Sequence, residues 1–182
     1  MTYTLQHDAE GAPVLVTGRL VLRKPAERDW DRMRAFWTSE RSRMIGGPLD
    51  DETCRRALDG LYDQWNHHGF SQFTVTRRAS DDGIGGFGPF YPETHPEPEL
   101  GWSLWSAEDE GQGLAFEAAA AARDWFFDIT GFDTAVSHTD PENHRSHRLC
   151  QRLGAVIDPE AARPADEEGP LVTWRHWTRA QA

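Results

Sequence analysis

Glu110-Gly111-Gln112-Gly113-Leu114-Ala115-Phe116-Glu117-Ala118 sits where one hydrophobic period gives way to another. Before it, Leu100, Trp102 and Leu104 alternate with Gly101, Ser103 and Trp105, the two-residue period of a strand. After it, Ala115, Ala118, Ala119, Ala122, Trp125 and Phe126 share one stripe of a helix predicted over 114–129. The stripe begins with small residues, which lets a helix lie close against a sheet. A glycine-rich turn from strand to helix has two readings. Glycine can serve the tight turn alone, or the bare backbone can let an anion approach the N–H groups of the helix's first turn. The stretch leaves both open. A dinucleotide fingerprint fits poorly, because Phe116 stands where its third glycine would be, and no Gly-Lys-Ser/Thr follows for a P-loop. Glu108, Asp109 and Glu110 oppose a phosphate here unless their side chains turn away.

Outward from this stretch the chain alternates between strands and helices. Arg19–Arg23 reads as a strand ended by Pro25, Glu27–Glu40 as a helix carrying Trp30, Met33, Phe36 and Trp37, and Ile45–Pro48 as a break. A second helix runs from Asp51, with Leu58, Leu61, Tyr62 and Trp65 on one stripe and Gly69 as its C-terminal cap. Strands follow at Phe73–Thr76 and, after the turn Ser80–Gly83, at Ile84–Phe90; Pro92–Pro98 is a proline-rich loop. Beyond the central helix come a strand at Ala135–His138, a helix over Glu142–Leu153 ended by Gly154, and a last strand at Leu171–Trp177 after an acidic loop. The order β-α-α-β-β-β-α-β-α-β predicts one mixed α/β domain.

A second constellation is Asp140-Pro141-Glu142-Asn143-His144-Arg145-Ser146-His147-Arg148-Leu149-Cys150-Gln151-Arg152-Leu153-Gly154-Ala155. Ser146, Leu149, Cys150 and Leu153 fall on one stripe, Arg145, Arg148 and Arg152 on another. Ser146 reads either as a small packing residue or as a placed hydroxyl, and the arginines either as a solvated face or as charge for a phosphate. His138, Asp140, His144 and His147 are metal-ligand types, yet no Glu-x-x-His or His-Glu-x-x-His pattern accompanies them, so no metal is expected.

Together with Glu99-Leu100-Gly101-Trp102, these two segments resemble, in this order, the GNAT superfamily of acyl-CoA-dependent N-acyltransferases, closest to its Rim-type, ribosomal-protein N-terminal acetyltransferase branch. The resemblance spans roughly Thr17 to Trp177. It implies a single-domain α/β fold whose mixed, mostly antiparallel central sheet is splayed in the middle, with helices on both faces and acetyl-CoA wedged into the V. Residues 1–16 are then expected as an N-terminal arm and 17–182 as the N-acetyltransferase domain. By position, the resemblance implies that Leu104, Trp105 and Ser106 pair with the pantetheine arm through their backbones. It implies that Gly111, Gln112, Gly113, Leu114 and Ala115 hold the pyrophosphate, and that Asn143 and Ser146 meet the pantetheine and thioester end. Cys150 stands where many relatives carry a tyrosine acid, which leaves Ser146 or Cys150 to protonate the thiolate.

Amine acylation needs a neutral amine and a proton for the departing sulfur. Glu99 is the expected base, directly or through water, with His138 as its substitute. The expected function is transfer of an acetyl group to a primary amine, on a protein N-terminus or a small molecule; the other reading is a non-catalytic acyl-CoA sensor. The acceptor is expected near Trp37, Met44–Pro48 and the acidic loop Glu93–Glu99. With Asp+Glu 30 against Lys+Arg 19, the formal charge of −11 repels a polyanion, so nucleic-acid binding is excluded. Two cysteines, Cys54 and Cys150, are too few for a disulfide framework. The N-terminus has no basic-then-apolar leader, and no stretch reaches the roughly 18 apolar residues of a membrane span. A soluble, cytoplasmic protein without membrane contact is expected, and a homodimer is left open.

Overall fold

The computed structural model describes residues 2–165 and 169–177. Along the chain the strands are β1 (Thr4–His7), β2 (Pro13–Val16), β3 (Leu20–Arg23), β4 (Phe73–Arg77), β5 (Gly83–Phe90), β6 (Glu99–Leu104), β7 (Thr134–Thr139), β8 (Val156–Ile157) and β9 (Val172–Trp177). They form one open sheet in the order β1-β2-β3-β4-β5-β6-β7-β9-β8. Every neighbouring pair is antiparallel except β6 and β7. The α-helices are α1 (Trp30–Trp37), α2 (Asp51–His68), α3 (Leu114–Thr130) and α4 (His144–Arg152). Mixed α/β architecture in one domain, read from the order of elements, is what the chain forms.

Local chemistry sets the helix limits. Asp50 caps α2 by accepting from Thr53 N, and Gly69 ends it in the left-handed conformation. Burial on α3 extends beyond the expected stripe: Ala118, Ala119, Ala120, Ala121 and Ala122 are all buried. The sheet covers one side through Leu20, Leu22, Phe73, Val75, Phe87 and Leu100. On other sides Arg123 donates to Leu153 O at the end of α4, and Thr2 donates to Asp124. Five alanines in a row give a helix thin enough to be enclosed all round. Trp65, Phe73 and Trp125 meet with ring centroids 4.8–6.0 Å apart and anchor the end of α2 to this core.

The segment expected as a loose N-terminal arm is instead a hairpin that lengthens the sheet. Asp8 accepts from Glu10 N and Ala12 N and so shapes the turn between β1 and β2, while Leu15 is fully buried. β8, two residues beside β9, is also additional to the predicted strands. The acidic loop residues 166–168 and the chain end 178–182 lie outside the described residues. Arg23, at the end of β3, grips Asp29 through two 2.8 Å hydrogen bonds, with Asp81 on its Nε at 2.7 Å. Among the described residues, no helix is long and apolar enough to cross a membrane.

Candidate active site at the parted strands

β6 and β7 touch at a single register pair, Glu99 opposite Val136, with Val136 N donating to Pro98 O. A regular parallel ladder would continue with His138 N donating to Leu100 O. Both groups are diverted to side chains. Glu99 Oε1 accepts from His138 N at 3.3 Å, and Ser137 Oγ donates to Leu100 O at 2.6 Å. Because that hydroxyl hydrogen is committed, His176 Nε2 must donate to Ser137 Oγ at 3.0 Å. Burial holds the His176 imidazole down to about 3, consistent with this neutral tautomer. The chain therefore parts its own strands and satisfies the freed backbone with side chains.

The parting opens into a cleft of about 1000 Å³, walled by Trp102, Ser103 and Leu104 of β6, Gly111 and Gly113–Phe116 at the start of α3, and Asn143–Ser146 at the start of α4. Trp105 N bonds Ile84 O, so Leu104, one residue earlier, turns its N–H and C=O away from β5 toward the open edge. Gly111 and Gly113 adopt φ 72° and 76°. A side chain would be strained in both, and Gly113 caps α3 with no side-chain hydrogen bond. The first-turn amides of α3 are left for an anion. On α4, Asn143 Oδ1 accepts from Ser146 N, which leaves the Asn143 amide group for the cleft. Ser146 Oγ accepts from Trp102 Nε1 at 3.1 Å, so its own hydrogen is available to a neighbour in the cleft.

Two of the three acids that count against a phosphate, Asp109 and Glu110, are occupied by arginine. Glu110 bridges Arg41 at 2.7 Å and Arg145, and Asp109 pairs with Arg77 at 2.8 Å. Arg148 and Arg152 line the cleft too, so its wall is rich in cations although the whole chain is acidic. Arg41 was not singled out by the sequence. It follows α1 in a short 3₁₀ turn, and its guanidinium donates to Leu104 O and Trp105 O as well as to Glu110. Nothing local in the sequence marks it, since these contacts cross more than sixty residues.

The expected site residues divide into two groups. Leu104, Gly111, Gly113, Leu114, Ala115, Asn143 and Ser146 share the cleft wall. Trp105, Ser106 and Gln112 do not line the cleft: the Trp105 N–H is spent on Ile84 O and its ring packs with Met33, Phe36 and Leu58, Ser106 accepts from Glu108 N, and Gln112 donates to Glu108 O. Cys150 is fully buried against Ala155 and Trp174, off the wall, and burial pushes its thiol up to about 12. A thiol held that high is poorly matched to protonating a thiolate. Glu99 lies at the single register pair where the strands part, buried and itself off the cleft wall, with its carboxylate between His138 N and His95 Nε2. Of the acids expected at the acceptor entrance, Glu97 is clamped by Arg175, while Met44 and Ile45 do line the cleft. No group of three or more His, Cys, Asp or Glu side chains among the described residues could hold a metal.

A mostly antiparallel sheet parted at its one parallel pair, with an open helix N-terminus at the mouth, is the architecture of the GNAT acetyltransferases. The chain belongs to that family: the acetyltransferase (GNAT) domain matches residues 19–156. The solved acetyltransferase from Agrobacterium tumefaciens str. C58 is 34% identical, with a TM-score of 0.85 over 90% of this chain and 94% of that one. Ribosomal-protein-S5-alanine acetyltransferase from Vibrio fischeri shares the fold at 18% identity and a TM-score of 0.68, over 91% and 97% of the two chains. A ribosomal L7/L12 α-N-protein acetyltransferase solved with coenzyme A shares it at 14% identity and a TM-score of 0.70, over 90% and 97%. The chain is thus an acetyltransferase of a family that uses acetyl-CoA.

Proposed function

We propose that the protein transfers the acetyl group of acetyl-CoA to a primary amine, with a peptide or protein N-terminus as the favoured acceptor and a small-molecule amine as the other. The observation that carries this reading is one cleft bounded by an open α3 N-terminus, the free edge of β6 and the Ser146 hydroxyl. The acceptor preference draws on the ribosomal-protein acetyltransferases that share the fold. Acetyl-CoA supplies an acetyl group activated as a thioester. The amides of residues 114–116, with Arg145, Arg148 and Arg152 nearby, suit its phosphates. Leu104 offers an N–H and a C=O to the amides of the pantetheine arm, and Asn143 adds a side-chain donor.

Glu99, through one water, takes the proton the amine sheds as its nitrogen bonds to the acetyl carbon. Ser146 Oγ–H faces the sulfur released as the C–S bond breaks. Calorimetric titration with acetyl-CoA, NAD and zinc tests the first step: acetyl-CoA alone should bind, and no heat with acetyl-CoA would sink the reading. Assay of a panel of peptides and small amines tests the second. Binding without turnover of any acceptor would favour the acyl-CoA sensor. Ser146→Ala should lower kcat by about 10- to 100-fold, the worth of a hydrogen bond to a developing charge, with little change in acetyl-CoA affinity.

A further inference from the structure

The loop between β5 and β6 does more than connect strands. It carries His95, whose Nε2 lies 3.1 Å from Glu99 Oε2, with both side chains about nine-tenths buried. An ionised carboxylate only accepts, so Nε2 carries the hydrogen, and Nδ1 is left to accept from the Thr94 hydroxyl at 3.2 Å. One neutral tautomer satisfies both contacts. The Phe90 ring meets the imidazole edge-on at 5.2 Å. The loop itself is tied down: His95 N donates to Pro92 O, Ala165 N to Thr94 O, and Arg175 holds Glu97 through both its carboxylate oxygens. Arg175 also reaches Asp158, so one guanidinium joins the loop to the chain beyond β8.

The two oxygens of Glu99 have different duties. Oε1 accepts from His138 N and completes the parted strands. Oε2 has no part in that backbone bond, and among the described residues its ion-pairing contact is His95. Fixing Oε2 sets the plane of the carboxylate and therefore where its free lone pairs point. We infer that His95 is a positioning residue for Glu99, orienting the carboxylate for proton uptake from the acceptor amine. The inference rests on the N-acetyltransferase reading and on Glu99 as its base. It predicts that the two oxygens can be separated experimentally, because removing His95 leaves the Oε1 bond and the fold in place.

The test compares His95→Leu, His95→Gln and Glu99→Gln. His95→Leu should lower kcat by about 10- to 100-fold, the worth of a hydrogen bond to a charged group, with KM for both substrates within twofold. His95→Gln, which keeps an N–H donor at similar reach, should recover kcat to within a few fold. A second readout needs no substrate: nitrogen-15 NMR of the free protein should show His95 protonated at Nε2, with an N–H resonance that disappears in Glu99→Ala. The inference is overturned if His95→Leu keeps wild-type kcat, if His95→Gln is as impaired as His95→Leu, or if the free protein carries its His95 hydrogen on Nδ1. Should His95→Leu fail to fold, the Gln variant and the wild-type spectrum decide. Glu99→Gln at full activity would remove the base assignment itself. An inactive Glu99→Gln beside a fully active His95→Leu would remove only the role of His95.

Discussion

Gly113→Ala isolates the cost of backbone conformation at the mouth of the cleft. Gly113 caps α3 at φ 76°, and a Cβ built there meets Arg19 Nη2 at 3.6 Å, an ordinary contact. Steric clash therefore contributes nothing, and what remains is the cost of holding an L-residue in the left-handed region, about 1–2 kcal/mol. In a chain of this length 1 kcal/mol moves Tm by roughly 2–4 °C, so the variant should melt about 2–8 °C below wild type. Gly60 is the opposite case. It lies inside α2 with nothing within 4 Å of its built Cβ, so alanine there should stabilise by roughly 0.5–1 kcal/mol. Scanning calorimetry of the two variants beside wild type gives both signs in one experiment. Titration with acetyl-CoA adds a second readout: re-aimed first-turn amides should weaken binding about 10-fold or more. Gly113→Ala melting at or above wild type, or binding acetyl-CoA unchanged, would refute the reasoning that glycine is there for its conformation and for the amides it exposes.

Three further expectations concern stability and reactivity. Asp29→Ala leaves the buried Arg23 with Asp81 as its one charge partner among the described residues; it should cost about 3 kcal/mol in urea unfolding, and a loss under 1 kcal/mol would show that the pair adds little. His176 stays neutral in the fold because burial holds its imidazole down to about 3, whereas in the unfolded chain it titrates near 6.5. The unfolded state therefore gains a proton first, so stability is full above about pH 6.5 and falls as pH drops toward 3. His176→Gln should lose roughly 1.5 kcal/mol less than wild type between pH 6.5 and 5, and parallel curves would contradict this. Cys54 and Cys150 are buried with thiols pushed up, so a disulfide reagent at pH 8 should find neither until denaturant is added. Rapid reaction of either thiol in the native protein would speak against their burial.

The long periodic elements were legible because their burial is set by neighbours in sequence. The alternation of Leu100, Trp102 and Leu104 and the Leu58–Trp65 stripe each report a face that the fold then covers. The β1–β2 hairpin does not show in the sequence because β1, Thr4–His7, is exposed and carries one apolar residue, Leu5, although Asp8 and Gly11 ahead of the apolar run Pro13–Val16 are a turn signal. In the site, the turn glycines were legible because a tight strand-to-helix turn is a local need, whereas Asn143, which the structure shows capping α4, entered only through the family resemblance. The ambiguity of Asp109 and Glu110 could not be settled from sequence, since Arg77 and Arg41 arrive from distant elements. Cys150 and Ser146 share a sequence stripe, yet one is sealed against Trp174 and the other opens to the cleft, a distinction decided by what packs above α4.

The diverted bonds of Glu99 and Ser137 bear on the thermodynamics of loading. Strands already parted in the free protein present the binding-competent state as the ground state, so no fraction of the affinity is lost to a rare open form. The heat capacity change on binding should then report the apolar surface buried against the ligand and little else. Association should be second-order up to high ligand concentration, with no slow opening step to limit it.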